Sequence, residues 1–289
     1  MQWLLYLFGS GAMFFVGVGL IAAGLAASAG RSAVFRGMSF IAVVVGSTVA
    51  VSSATPLPLA YYAVAILLTL GWLALLGIDN RTPKRARNCA RVLVGTIWLA
   101  GAIAELPHHL LPTVPKVEGR RLYLFGDSLA AGLSGDRTQN WPELLSKAHR
   151  LELADYAQPG ATVSTSLELA RAARLDDGVV LLEIGGNDVL GKTDAEAFRD
   201  GLEQLLLHVC HPGRQVVMFE LPLPPFKNAF GRAQRELANR FPVVLIPKRV
   251  LMSLLTGNDA TVDSIHLSPK GHKRMAMLAW GIVGSAYGD

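Results

Sequence analysis

The sequence predicts an all-α transmembrane region of about four helices followed by a three-layer α/β domain with a parallel sheet. Three observations carry that reading. The 289 residues are 51% hydrophobic and only 17% charged, with a mean hydropathy of +0.37, which is too apolar for an ordinary soluble protein of this size. The apolar residues are also unevenly placed, since between Met1 and Ile78 the only charged side chains are Arg31 and Arg36. From Arg120 onward, short β-prone runs alternate with helix-like stretches, as in a parallel sheet covered on both faces.

A helix needs about 20 apolar residues to cross the hydrocarbon core. Residues 3–27 supply the first run, and its start, MQWLLYLF, lacks the basic n-region of a cleavable signal peptide. Gly19, Ala23 and Ala27 form a stripe of small residues along which a second helix could approach. Residues 38–54 form a second, shorter run that stops at Pro56 and Pro58, and residues 57–78 form a third. The fourth, within 90–106, is short and contains Glu105. A carboxylate near a helix end is expected to reach the membrane interface. Residues 107–119, with three prolines, read as an extended linker.

Charge placement sets the orientation. Residues 1–119 carry eight Lys/Arg against three Asp/Glu, whereas residues 120–289 carry nineteen of each. The whole net charge of +5 therefore flanks the apolar runs. This is a topology signal rather than the clustered basic surface that nucleic acid requires, so no nucleic-acid partner is expected. The first loop holds Arg31 and Arg36, the third holds Arg81, Lys84, Arg85, Arg87 and Arg91, and the second holds none. Loops one and three are then cytoplasmic. Once the fourth run crosses, the domain that follows lies outside, giving a multi-pass inner-membrane protein with a periplasmic domain. Cys89, in the third loop, and Cys210, late in a helix, lack metal or redox spacing and read as unrelated free thiols.

In the domain at 120–289, strands are expected at 122–125, 151–156, 179–184, 216–220 and 243–246. Helices are expected near 140–149, 164–174, 194–210, 228–240 and 269–286. Functional residues of open parallel sheets gather at the carboxyl ends of the strands. Phe125-Gly126-Asp127-Ser128-Leu129 follows the first strand, and a serine opening the next helix exposes both its hydroxyl and its backbone N–H. Gln158-Pro159-Gly160 follows the second, where a glycine leaves a backbone N–H accessible, and Gly185-Gly186-Asn187-Asp188 follows the third. Asn187 is either an amide donor to an oxyanion or part of a glycine-rich turn. Near the C-terminus, Asp263 stands three residues before His266 and is placed to accept its Nδ1–H, which would leave Nε2 facing a nucleophile. Ser268 and Pro269 read as N-cap and first residue of the last helix, and His272 as a surface residue.

These parts compose an acyl-transfer site: Ser128 as nucleophile, His266 as general base and acid, and Asp263 as its orienting partner. The N–H groups of Ser128 and Gly160 and the Asn187 amide would form an oxyanion hole. The stretches LFGDSLAAG, WPELL and LLEIGGNDVL, with Ser128, Gly160, Asn187 and His266 in that order, resemble the GDSL/SGNH hydrolases over residues 120–286. They are most like the bacterial periplasmic thioesterase/lysophospholipase subgroup. Leu267 departs from the proline many relatives carry there, which bears on loop rigidity. The resemblance implies a flavodoxin-like three-layer domain and a serine esterase without metal or organic cofactor, acting on a lysophospholipid, acyl thioester or acylated glycan. The membrane region adds an expectation of a substrate at or near the membrane surface, among membrane lipid. Three other readings stay open: an envelope polysaccharide acyltransferase with the same triad, a non-catalytic membrane sensor or assembly protein, and metal-dependent hydrolysis through Asp127, Asp188, Asp263 and His266.

Overall fold

The computed structural model describes the chain except residues 1, 31, 78–82, 134–136, 264 and 289. Arg31, Ile78 and Arg81 of the sequence reading therefore lie outside the described residues. The chain divides into a helical unit formed mainly by Leu7–His109 and an α/β unit formed mainly by Leu110–Leu223 and Ala229–Asp289.

The first apolar run is broken. Helices α1 (Gln2–Gly9) and α2 (Ala12–Ala27) meet at 85°, so residues 3–27 do not form one straight helix. Gly11 sits at φ 82 in the left-handed region that glycine tolerates. Ser10 Oγ accepts from the N–H of Ala12 at 3.3 Å, holding the corner. Helices α3 (Ala33–Ser52) and α4 (Leu59–Gly77) match the second and third runs. Helix α5 (Lys84–Glu105) begins well before the expected fourth run, because Lys84, Arg85, Arg87, Cys89 and Arg91 form its first turns rather than a loop. Long unbranched basic side chains are good helix formers, so charge does not end the helix.

Among the described residues, three helices are long and apolar enough to cross a membrane, or four if the bent α1–α2 pair counts as one span. The weak member is thus the first run, whereas the fourth is among the long ones. Close packing of α2 on α3 uses Gly17, whose added Cβ would lie 2.6 Å from Gly46 O. The stripe at Gly19, Ala23 and Ala27 does not serve this contact, since Gly19 and Ala23 are exposed. Inside this unit Trp98 Nε1 donates to Thr69 Oγ1 at 3.0 Å and the Tyr61 hydroxyl to Ile97 O at 3.2 Å, whereas the buried Ser47 Oγ has no hydrogen-bond partner among the described residues. Glu105 is buried rather than turned to an interface, with His109 Nε2 3.6 Å from its Oε1 one turn further on.

Among the described residues, the α/β unit has five parallel strands in the order β2-β1-β3-β4-β5. They are β1 (Arg121–Gly126), β2 (Glu152–Asp155), β3 (Gly178–Glu183), β4 (Arg214–Phe219) and β5 (Val243–Ile246). Their helices are α6 (Ser128–Ala131), α7 (Trp141–His149), α8 (Val163–Ala172), α9 (Gly186–Leu190) and α10 (Ala195–Val209), then α11 (Asn228–Arg240), α12 (Arg249–Leu255) and α13 (Pro269–Val283). The short α9 and α12 were not expected. Alternate residues of a strand face opposite sides. Leu122, Leu124, Val179 and Leu181 share a core with Trp141 of α7, Leu251 of α12 and Met275 of α13. Helices α8, α10 and α11 cover the other face, with Phe198 and Phe230 ring centroids 5.1 Å apart. The end of the linker is packed onto this unit: Val114 is buried, and the Val117 N–H donates to Ala286 O at 2.9 Å.

Candidate active site

The strand order reverses between β1 and β3, and such a switch point opens a crevice at the carboxyl edge of the sheet. Ser128 stands directly after β1, Asn187 directly after β3, and Gly160 on the loop after neighbouring β2. Each is placed by local backbone chemistry. Asp127 caps α6 by accepting the Leu129 N–H on Oδ1 at 2.9 Å, which leaves Ser128 as the first helical residue. Gln158-Pro159-Gly160-Ala161 is a turn closed by the Ala161 N–H on Gln158 O at 3.1 Å. Proline second and glycine third, at φ 77, are what a type II turn requires, and the Gly160 N–H takes no part in the closing bond. Asn187 lies in the first turn of α9 rather than in a loop. Its Nδ2 donates to Ala161 O at 3.0 Å and makes a longer contact of 3.4 Å with Asp127 Oδ2.

The histidine arrives from the far end of the chain. His266 Nδ1 lies 2.7 Å from Asp263 Oδ2, while Asp263 Oδ1 accepts the N–H groups of His266 and Ile265 at 2.9 and 3.2 Å. These bonds, the backbone ones first, hold the Asp263 carboxyl down at about 2, so it stays ionised and orients the ring. The loop is pinned by a bridge between Thr261 and Leu267, flanked by the Val262 N–H on His266 O and the Ser268 N–H on Ala260 O, both 2.9 Å. Leu267 is buried, so anchorage here does not depend on the proline of relatives. Ser268 caps α13 through the Gly271 N–H at 3.0 Å, as expected. Among the described residues, the Ser128 hydroxyl makes no hydrogen bond to His266. Contacts of this kind commonly tighten only when substrate arrives.

Two residues behave differently from their sequence reading. His272 is buried rather than superficial. Its Nδ1 accepts the Trp141 N–H at 3.2 Å, and burial pulls its pKa down, so it packs as a neutral ring. Asp188 is buried and accepts the Val163 N–H at 3.0 Å, tying α9 to the start of α8. Asp127 and Asp188 thus serve backbone amides. Among the described residues, no group of three His, Cys, Asp or Glu side chains is placed to hold a metal ion.

Sequence reasoning missed Glu183, the last residue of β3. It is buried directly beneath the GDSL turn, accepts the Asp127 N–H, and its Oε2 has no hydrogen-bond partner. A Cβ at Gly126 would lie 3.2 Å from that oxygen, so glycine there accommodates the carboxyl. Burial, then the Asp127 charge, pushes Glu183 well above the usual carboxylate range, and burial raises Asp127 to about 6. The available signal was a lone acid ending an otherwise apolar buried strand. Glu220 was missed as well. It directly follows β4, with Arg235 Nε at 2.7 Å and Lys248 Nζ at 3.3 Å, all three buried.

Comparison with known proteins bears on this site. Residues 124–274 match the model of the GDSL-like Lipase/Acylhydrolase family. Esterase TesA of Pseudomonas aeruginosa is 27% identical over 163 residues, covering 52% of this chain and 79% of that protein. An arylesterase of Vibrio mimicus is 28% identical over 143 residues, covering 44% of this chain and 70% of that one. The crystal structure of TesA aligns with a TM-score of 0.52 at 23% identity, over 57% of this chain and 99% of the other. Esterase EstA from Pseudoalteromonas sp. aligns at 0.50 and 17% identity, over 58% and 98%.

Proposed function

The chain belongs to the GDSL-like lipase/acylhydrolase family, a family of esterases, and from that premise we propose that it is a membrane-anchored serine esterase working through an acyl-enzyme on Ser128. The observation that carries this reading is the Asp263–His266 pair, 2.7 Å apart on a pinned loop, in a unit whose sheet edge presents Ser128. His266 Nε2 takes the hydroxyl proton as Ser128 Oγ bonds to the acyl carbon. The tetrahedral oxyanion is held by the N–H groups of Ser128 and Gly160 and by Asn187. One Asn187 hydrogen is fixed on Ala161 O; the other, in the longer contact with Asp127, is the one available to the oxyanion. As the carbon–oxygen or carbon–sulfur bond to the leaving group breaks, His266 returns the proton to it. Water then repeats the sequence, releasing the acid and restoring Ser128.

The substrate is an acyl ester or thioester at a membrane surface: a lysophospholipid, an acyl thioester or an acylated envelope glycan. Exposed Leu133, Leu190, Val262 and Ile265 accompany the serine, asparagine and histidine segments, which favours an apolar acyl chain. The basic first turns of α5 favour a cytoplasmic start for that helix, and its length favours a crossing that leaves the hydrolase unit in the periplasm. Rates on p-nitrophenyl esters of increasing chain length, then on the three substrate types, test the proposal with full-length protein and Ser128→Ala. Activity that rises with chain length and vanishes in the variant is expected. Undiminished activity in Ser128→Ala would overturn the mechanism. Reporter fusions at residue 115 test the compartment.

A further inference from the structure

The helical unit carries a second constellation, at the end where α5 begins. Arg36 of α3, Lys84, Arg87 and Arg91 of α5, and Ser28 beyond α2 line a cavity of about 410 Å³. Lys84, Arg87 and Arg91 are spaced by three and four residues and so share one face of α5. Arg36, Arg87 and Arg91 are half-buried, and Trp72 supplies an apolar wall. Among the described residues, no acidic side chain lines the cavity. Arg36 and Arg87 make other contacts too, and the sequence from Arg31 to Arg91 holds seven basic residues and one acidic one, Asp79.

A separate observation lies deeper along the same two helices. Ile21 and Leu25 of α2 and Val92, Gly95 and Leu99 of α5 line a groove of about 340 Å³. A Cβ at Gly95 would meet only Leu25 Cδ1, at 3.5 Å, so glycine leaves this groove open at no cost in packing. Leu25 and Val92 of the groove adjoin Ser28 and Arg91 of the cavity within one turn of each helix.

A cationic cavity continued by an apolar groove fits a ligand with an anionic head and a hydrocarbon tail. The geometry points to a binding site for an anionic phospholipid, its phosphate among Arg36, Arg87 and Arg91 and one acyl chain along the α2–α5 groove. The inference rests on α2–α5 standing in a membrane, where basic side chains at the cytoplasmic surface meet anionic lipid. Free phosphate would use the cavity alone. A zwitterionic lipid would bring its ammonium group against the cations. The site belongs to the helical unit, and its lipid is a bound companion rather than the ester that is cleaved.

Native mass spectrometry of the full-length protein in mild detergent tests it, with phosphatidylglycerol and phosphatidylcholine of matched chains and with inorganic phosphate. Phosphatidylglycerol is expected to be retained about tenfold or more over phosphatidylcholine. Arg87→Gln with Arg91→Gln should remove that preference, and Gly95→Phe should reduce retention by filling the groove. Arg85→Gln, which changes a helix cation outside the cavity, should leave both unchanged. Circular dichroism of each variant checks that the helices are intact, and Arg91→Gln alone serves where the double variant fails to fold. Equal retention of the two lipids, equal loss from Arg85→Gln, or displacement by stoichiometric phosphate would overturn the site. Protein recovered without detergent from the soluble fraction would instead overturn the membrane reading.

Discussion

Glu183 offers a quantitative test of how the turn leading into Ser128 is supported. It is buried at the end of β3, accepts the Asp127 N–H, and has one oxygen without a partner. Burial and the neighbouring Asp127 charge both favour its protonated form. Glu183→Gln then replaces one neutral group by another and keeps the accepting oxygen. Its expected cost is below about 1 kcal/mol, within the range of a conserved buried hydrogen bond. Glu183→Ala leaves the Asp127 N–H unsatisfied, at about 1–3 kcal/mol. It also loses a buried methylene, about 0.8 kcal/mol, and leaves a cavity. The sum is about 3 kcal/mol, or a fall of roughly 6–12 °C in the melting temperature of a domain this size. Differential scanning calorimetry of full-length protein in detergent reads the transition. A Gln variant as unstable as the Ala variant would refute the neutral, backbone-accepting role. It would mean that an ionised Glu183 carries the interaction.

Three further outcomes follow from named contacts. Asp127 titrates near 6 in the folded chain against 3.8 for the ordinary side chain. The folded state therefore holds a proton that the unfolded state releases, and stability falls as pH rises through about 4–6, by roughly 3 kcal/mol. Asp127→Asn keeps an oxygen for capping, so the difference in melting temperature between the two proteins should grow across that window. His272, with its pKa lowered by burial, contributes stability that is complete above about 6.5 and lost as pH falls, because the unfolded chain takes up the proton first; His272→Asn should flatten that acid limb. In the helical unit, Gly17→Leu should disrupt the α2–α3 contact, since even a Cβ would lie 2.6 Å from Gly46 O, whereas a Cβ at the exposed Gly19 meets nothing within 4 Å and Gly19→Leu should be tolerated. Gel filtration in detergent separates those two results.

Much of the α/β fold can be read directly from the sequence, because its strands are short apolar runs and the segments proposed for the site lie after a strand or before the last helix. Ser128, Gly160, Asn187, Asp263 and His266 could be named together because their chain order, not any one tetrapeptide, is distinctive. What escaped reading depended on direction and environment. The bend at Ser10–Gly11 follows from one left-handed glycine, which hydropathy averages away. The start of α5 was hidden because a charge run reads as loop, although Lys and Arg propagate a helix well. The small-residue stripe was assigned to Gly19, but packing uses Gly17, two residues and a large rotation away. Glu105, Glu183 and His272 are polar residues expected outside or overlooked, and each is buried beside a specific partner or backbone amide that sequence alone does not display. The end of the proline-rich linker folds onto the α/β unit for the same reason, through Val114 and Val117.

The central claim concerns the Ser128 hydroxyl, and covalent capture tests it most directly. Full-length protein would be treated with an alkyl fluorophosphonate, digested and sequenced by mass spectrometry, alongside Ser128→Ala, His266→Ala and Asp263→Asn. The account predicts one adduct on Ser128, none in Ser128→Ala, and labelling slowed by about a thousandfold or more when the base is removed or its tautomer left unset. Labelling of another residue, or ester hydrolysis that persists in Ser128→Ala, would contradict it.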